Sequence, residues 1–151
     1  MNSVNNESSS TNTKFVQNEK VDVALDLDNT KKITILIVED DPVIRKVHEL
    51  TLRKAGLKPS VAKNGEEAVN LFLSGASFDL VLMDNNMPIM NGPMATMKLR
   101  AMGVSTMIVG LTSNDSEEEK QAFMEAGLDD FYAKPLTSAK VANLLEKLKK
   151  N

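Results

Sequence analysis

The chain has 151 residues, 42% hydrophobic and 26% charged, which supplies apolar material for one core and little length for a second. A net charge of −3 with no block of Lys and Arg argues against a phosphate-neutralising nucleic-acid surface. Zero Cys excludes disulfides, thiolate metal sites and cysteine nucleophiles.

The first segment, MNSVNNESSSTNTK, lacks the apolar core of a signal peptide, and apolar runs such as Ile35 to Val38 are too short to cross a bilayer. A soluble, intracellular protein is expected, cytoplasmic and also nuclear. Residues 1–30 are too polar to offset the entropy of ordering and read as a mobile tail. Within that tail Val21, Val23, Leu25 and Leu27 alternate with polar or small residues, a pattern open to an edge strand or a docking segment.

From residue 31 to the end, one domain is expected, built from short aliphatic runs alternating with amphipathic stretches. The expected strands are 33–38, 58–62, 79–83, 106–111 and 129–133. The third and fourth are apolar throughout, as suits strands buried on both faces. Asp41 before Pro42 reads as an N-cap followed by the first helical residue, and Gly56 can close that helix. Asn64 and Gly65 precede a second helix with Ala68, Val69, Phe72 and Leu73 on one face. Pro93 starts a third. Ser116 and Glu119 form a capping box for the fourth, which Gly127 ends. Thr137 caps the last helix, whose inward stripe is Val141, Leu144, Leu145 and Leu148. Right-handed crossovers then give an α/β, flavodoxin-like, doubly wound (βα)5 fold. Its five-stranded parallel sheet has order 2-1-3-4-5, with ligands expected beyond the carboxyl ends of the strands.

Those ends carry Glu39 and Asp40 after the first strand, Asp84 after the third, Thr112 after the fourth and Lys134 after the fifth. Three carboxylates gathered there repel by several kcal/mol at the intermediate dielectric of a protein surface, about 4 kcal/mol for two charges 4 Å apart, unless a cation holds them. Oxygen-only ligands shared with a phosphate describe a Mg²⁺ site. Lys134 and Thr112 would then serve the oxygens of a phosphoryl group, leaving Asp84 as the nucleophile.

The segments ILIVEDD, LVLMDNNMPIMNG, VGLTS and FYAKP resemble the signature segments of response-regulator receiver domains, over about residues 31–150. The 44 residues from Asp40 to Asp84 agree with that family's spacing. The resemblance implies that Asp84 is the phosphoacceptor, that Asp40 is a direct metal ligand and that Glu39 is a second-sphere acid or binds through water. It implies further that Asp84 also ligates the metal and that Asn86 does so through its backbone carbonyl, while Thr112 and Lys134 complete the catalytic set. Mg²⁺ is the implied cofactor, replaceable by Mn²⁺ or another divalent cation. Thr112, Ser113 and Phe131 match the family's switch positions, and Pro135 its cis-proline. Glu39 stands where Asp is at least as usual, and Asn91 replaces a frequent Asp before Gly92. MIVGLTS and AFMEAGLDDFYAKPLT are similar to the small plant response regulators without an output domain, sometimes grouped as type C. The implied partner is a histidine phosphotransfer protein or a histidine kinase, with no nucleic acid, no membrane and a monomeric state.

Plainer readings apply elsewhere. His48 reads as a solvated helix position rather than a phosphohistidine. Met83, Met87, Met90, Met94 and Met97 read as packing around the acceptor loop, some of them available to a partner. Glu117, Glu118 and Glu119 suit a helix N-terminus. A haloacid-dehalogenase phosphatase would need an Asp where Asn86 stands. Three functions remain: a signalling receiver, a phosphate sink whose aspartyl phosphate lifetime depends on Asn86 and Asn114, and a phosphorylation-independent interaction module.

Overall fold

The computed structural model describes residues 32–113 and 116–150. The tail with its Val21 to Leu27 alternation, and Asn114, lie outside the described residues.

Five strands, β1 (Ile35–Val38), β2 (Ser60–Ala62), β3 (Leu80–Asp84), β4 (Met107–Thr112) and β5 (Asp130–Ala133), alternate with five helices. The helices are α1 (Pro42–Lys54), α2 (Gly65–Leu73), α3 (Gly92–Ala101), α4 (Glu117–Glu125) and α5 (Ser138–Lys150). All pairings are parallel, as the alternation of elements predicts, and the sheet order is the expected β2-β1-β3-β4-β5. The first two strands start two residues later than expected. Asp84 and Thr112 are the last residues of their strands rather than the first beyond them.

Strand periodicity divides the core between the two faces of the sheet. Ile35, Ile37, Leu80, Leu82, Val109 and Leu111 pack with Leu52 of α1 and Val141, Leu144 and Leu145 of α5. Their neighbours Leu36, Val38, Val81, Met83 and Ile108 pack with Ala68 and Val69 of α2, Ala95 and Leu99 of α3 and Phe123 of α4. Gly110 lets α4 approach the sheet, because a Cβ there would stand 2.7 Å from Leu128 Cδ1 and 2.8 Å from Phe123 Cε2.

Local signals set the helix ends. Asp41 accepts from the Val43 and Ile44 amides, Asn64 from Glu67 and Asn91 from Met94. Thr137 Oγ1 accepts from the Lys140 amide, and Gly56 and Gly127 take positive φ past α1 and α4. Asn91 is therefore a helix cap, more than a turn variant.

Three burial expectations need correction. Leu73 and the methionines Met94 and Met97 are exposed, whereas Met83 is buried and Met87 and Met90 are partly buried against the core. Leu71 is instead partly buried against the core, beside Phe72. His48 is not solvated: it is completely buried, on the same α1 stripe as Leu52.

Candidate phosphoryl-transfer site

Strand register assembles the site. Val38 lies opposite Met83, so the next residues, Glu39 and Asp84, come level at the carboxyl end of the sheet. Asp84 lies opposite Leu111, one residue before Thr112, and Thr112 lies opposite Ala133, one residue before Lys134. Residues as far apart in sequence as Glu39 and Lys134 thus meet.

Ligand oxygens of Glu39, Asp40 and Asp84 all lie within 4.8 Å of one another. Lys134 Nζ stands 2.8 Å from Asp84 Oδ1 and 2.9 Å from Glu39 Oε1. Glu39 and Asp84 are buried, Asp40 is half-buried, and Thr112 is buried at the end of β4. Burial pushes the Asp84 carboxyl from 3.8 up to about 6; the Lys134 hydrogen bond pulls against this, and the charge of Glu39 adds to it. For Lys134, burial acts to lower the pKa, but the contacts with Asp84 and Glu39 outweigh it and hold the ammonium above its ordinary value.

One ammonium facing three carboxylates leaves the cluster short of positive charge. Glu39 Oε2 accepts from the Asp41 amide at 3.2 Å, but buried Oε1 faces Lys134 outside hydrogen-bond geometry and has no other partner. Three hard carboxylate oxygens this close, with one ammonium between two of them, fit a hard divalent cation.

The remaining expected residues lie near the same strand ends in sequence. Asn86 is exposed two residues beyond Asp84, and Ser113 is exposed beside Thr112. Phe131 is half-buried against the core, with Lys120 Nζ 5.4 Å from its ring centre. The Lys134–Pro135 bond is cis. Gly92 opens α3 against Asp84 itself, since a Cβ there would meet Asp84 O at 2.2 Å.

Three supporting residues escaped the sequence reading. Arg45 donates to Glu39 O at 2.9 Å, and Lys140 Nζ donates to Ala133 O and Pro135 O at 2.6 and 3.1 Å. His48 Nε2 accepts from the Leu136 amide at 3.2 Å. The four-residue spacing of Ile44, His48 and Leu52 was the available signal for His48.

A doubly wound parallel sheet with an acidic cluster and a lysine at its carboxyl end defines a class, and the response regulator receiver domain model matches residues 35–146. The chain belongs to that family. It is 53% identical over 120 residues to the two-component response regulator ARR22 of Arabidopsis thaliana, covering 78% of this chain and 84% of that protein. Among solved structures, the receiver domain of sensor histidine kinase PA1611 from Pseudomonas aeruginosa, with magnesium coordinated in its active-site cleft, superposes with TM-score 0.70 at 30% identity. That match covers 79% of this chain and 98% of the other. The Saccharomyces cerevisiae receiver domain of Ssk1, crystallised with the histidine phosphotransfer protein Ypd1, is also similar, with TM-score 0.70 and 28% identity over 78% of this chain and 88% of the matched one.

Proposed function

We propose that this receiver takes a phosphoryl group from the phosphohistidine of a phosphotransfer protein onto Asp84. The observation that carries the reading is the meeting of three carboxylates within 4.8 Å, one of them, Asp84, already paired with a buried lysine. An Asp84 carboxylate oxygen attacks phosphorus, the bond from phosphorus to the donor imidazole nitrogen breaks, and the electron pair stays on that nitrogen. Lys134 then exchanges part of its contact with Asp84 for a phosphoryl oxygen, and Thr112 turns its hydroxyl toward another. Asp40, Asp84 and the Asn86 carbonyl would hold Mg²⁺, with Glu39 behind them, and the ion supplies charge neutralisation for the entering group.

A partner has an apolar landing surface close by. Val43, Val47 and Leu50 recur at helical spacing on α1, which starts two residues after Asp40, and are 71%, 44% and 48% exposed. The matched receiver crystallised with Ypd1 supports a phosphotransfer protein as the occupant. Phosphorylation adds nearly two negative charges, enough to draw Thr112 inward and let half-buried Phe131 follow, changing the surface beside α4.

The test incubates the chain with Mg²⁺ and a ³²P-labelled histidine phosphotransfer protein, comparing wild type with Asp84→Asn. Label should move to the wild type and not to the variant. Equal transfer to both would remove Asp84 from the reaction, and the decay rate of the wild-type adduct separates a signalling receiver from a phosphate sink.

A further inference from the structure

The last rung joining β4 to β5 is the Lys134 amide donating to Thr112 O at 2.9 Å. Pro135 has no amide hydrogen to continue the ladder, and Leu136, whose side chain is buried in the core, places its N–H beyond the end of the sheet. That amide would be a buried orphan without His48, which reaches it from α1 across 88 positions of sequence. The same turn is tied from its other side by Lys140 of α5, through Ala133 O and Pro135 O. The turn so held carries Lys134, whose ammonium touches both Asp84 and Glu39.

We propose that His48 is a positioning residue for phosphoryl transfer: its Nε2 lone pair anchors the Leu136 amide and thereby fixes where Lys134 meets the acceptor. The role rests on the phosphoacceptor reading of Asp84. It requires the neutral imidazole with its proton on Nδ1, since only an unprotonated Nε2 can accept. The surroundings favour that neutral form. Burial lowers the pKa of His48, Lys134 and Lys140 lower it further, and Glu39 alone opposes them. Nδ1 is buried with no hydrogen-bond partner among the described residues, so the anchor pairs the Leu136 amide while leaving the imidazole's own N–H unpaired, a cost set against the one it removes. A leucine would fill the core position equally well and leave the amide unpaired, which distinguishes anchoring from packing.

The test has two parts. First, ¹⁵N NMR of the wild-type imidazole should show protonated Nδ1, bare Nε2 and a through-bond coupling from Nε2 to the Leu136 amide. A proton on Nε2 overturns the proposal whatever the chemistry does. Second, acetyl phosphate with Mg²⁺ serves as donor for wild type, His48→Leu and His48→Gln, followed by intact mass. His48→Leu should lower the limiting rate of Asp84 phosphorylation about tenfold or more with unchanged half-saturation by donor, as a lysine displaced by a fraction of an ångström implies. His48→Gln, whose Oε1 can accept the same amide, should recover to within about threefold of wild type. A folded His48→Leu protein reacting at the wild-type rate would refute the anchor, as would a Gln variant no better than Leu. If His48→Leu does not fold, the His48→Gln rate and the imidazole tautomer decide. If the wild type accepts no phosphoryl group, the phosphoacceptor reading fails, and the tautomer and coupling alone decide whether His48 holds the turn.

Discussion

Asp84 sits in an environment that opposes its ionised form. Its pKa is raised from 3.8 to about 6, so the protonated carboxyl favours the fold, fully below about pH 4 and decreasingly as pH rises through 6. At neutral pH in chelator the ionised group therefore lowers stability, and Asp84→Asn should raise the unfolding free energy by about 2 kcal/mol at pH 7.5 while leaving it nearly unchanged at pH 4. Urea denaturation at the two pH values checks this, and a variant less stable than wild type at pH 7.5 would contradict it. Lys134 has the opposite sign. Replacing it with Met leaves buried Glu39 and Asp84 facing each other without their shared cation, so Lys134→Met should lose about 3 kcal/mol at pH 7.5 and much less at pH 4.

At the scale of elements, the loop from β3 to α3 is under local strain. Ile89, β-branched and exposed, has φ of 69°, and the Met90 amide donates to Pro88 O at 2.6 Å, closing a tight turn around it. Ile89→Gly relieves that strain and loses little packing. Even after the extra chain entropy of glycine, about 0.5 to 1 kcal/mol, the variant should gain roughly 1 kcal/mol in urea unfolding. Legibility in the sequence follows the same division between elements and their details. The strands were legible because both faces of β3 and β4 are covered, so burial writes itself as an unbroken apolar run, and the site was legible because such strands end at one edge. The faces of α1 were not. Its apolar Val43, Val47 and Leu50 point outward, while a histidine occupies the core stripe with Leu52. Periodicity locates apolar residues but does not say which face of a helix meets the sheet, and no local pattern shows that Leu136 needs a hydrogen-bond acceptor from α1.

For the whole molecule, the site belongs to no single element: Glu39 and Asp40 follow β1, Asp84 ends β3, Thr112 ends β4 and Lys134 follows β5. Each strand end is fixed only by its register with its neighbours, so the cluster exists only when the sheet is complete and is dispersed when the chain unfolds. A cation held by Asp40 and Asp84, with Glu39 behind them, must then stabilise the entire fold by mass action. At Mg²⁺ tenfold above its dissociation constant, the gain is about 1.4 kcal/mol, visible as a rise in Tm. Asp40 is the half-buried member of the cluster, so Asp40→Asn should fold normally and lose most of that rise. Protonation of Asp84 competes with the cation, which means that the Mg²⁺ effect should shrink as pH falls through about 6 and be small by pH 5. Differential scanning calorimetry of both proteins at pH 7.5 and pH 5, with and without Mg²⁺, measures all four cases. A rise in Tm that is the same in Asp40→Asn, or one that persists undiminished at pH 5, would place the cation somewhere other than this cluster.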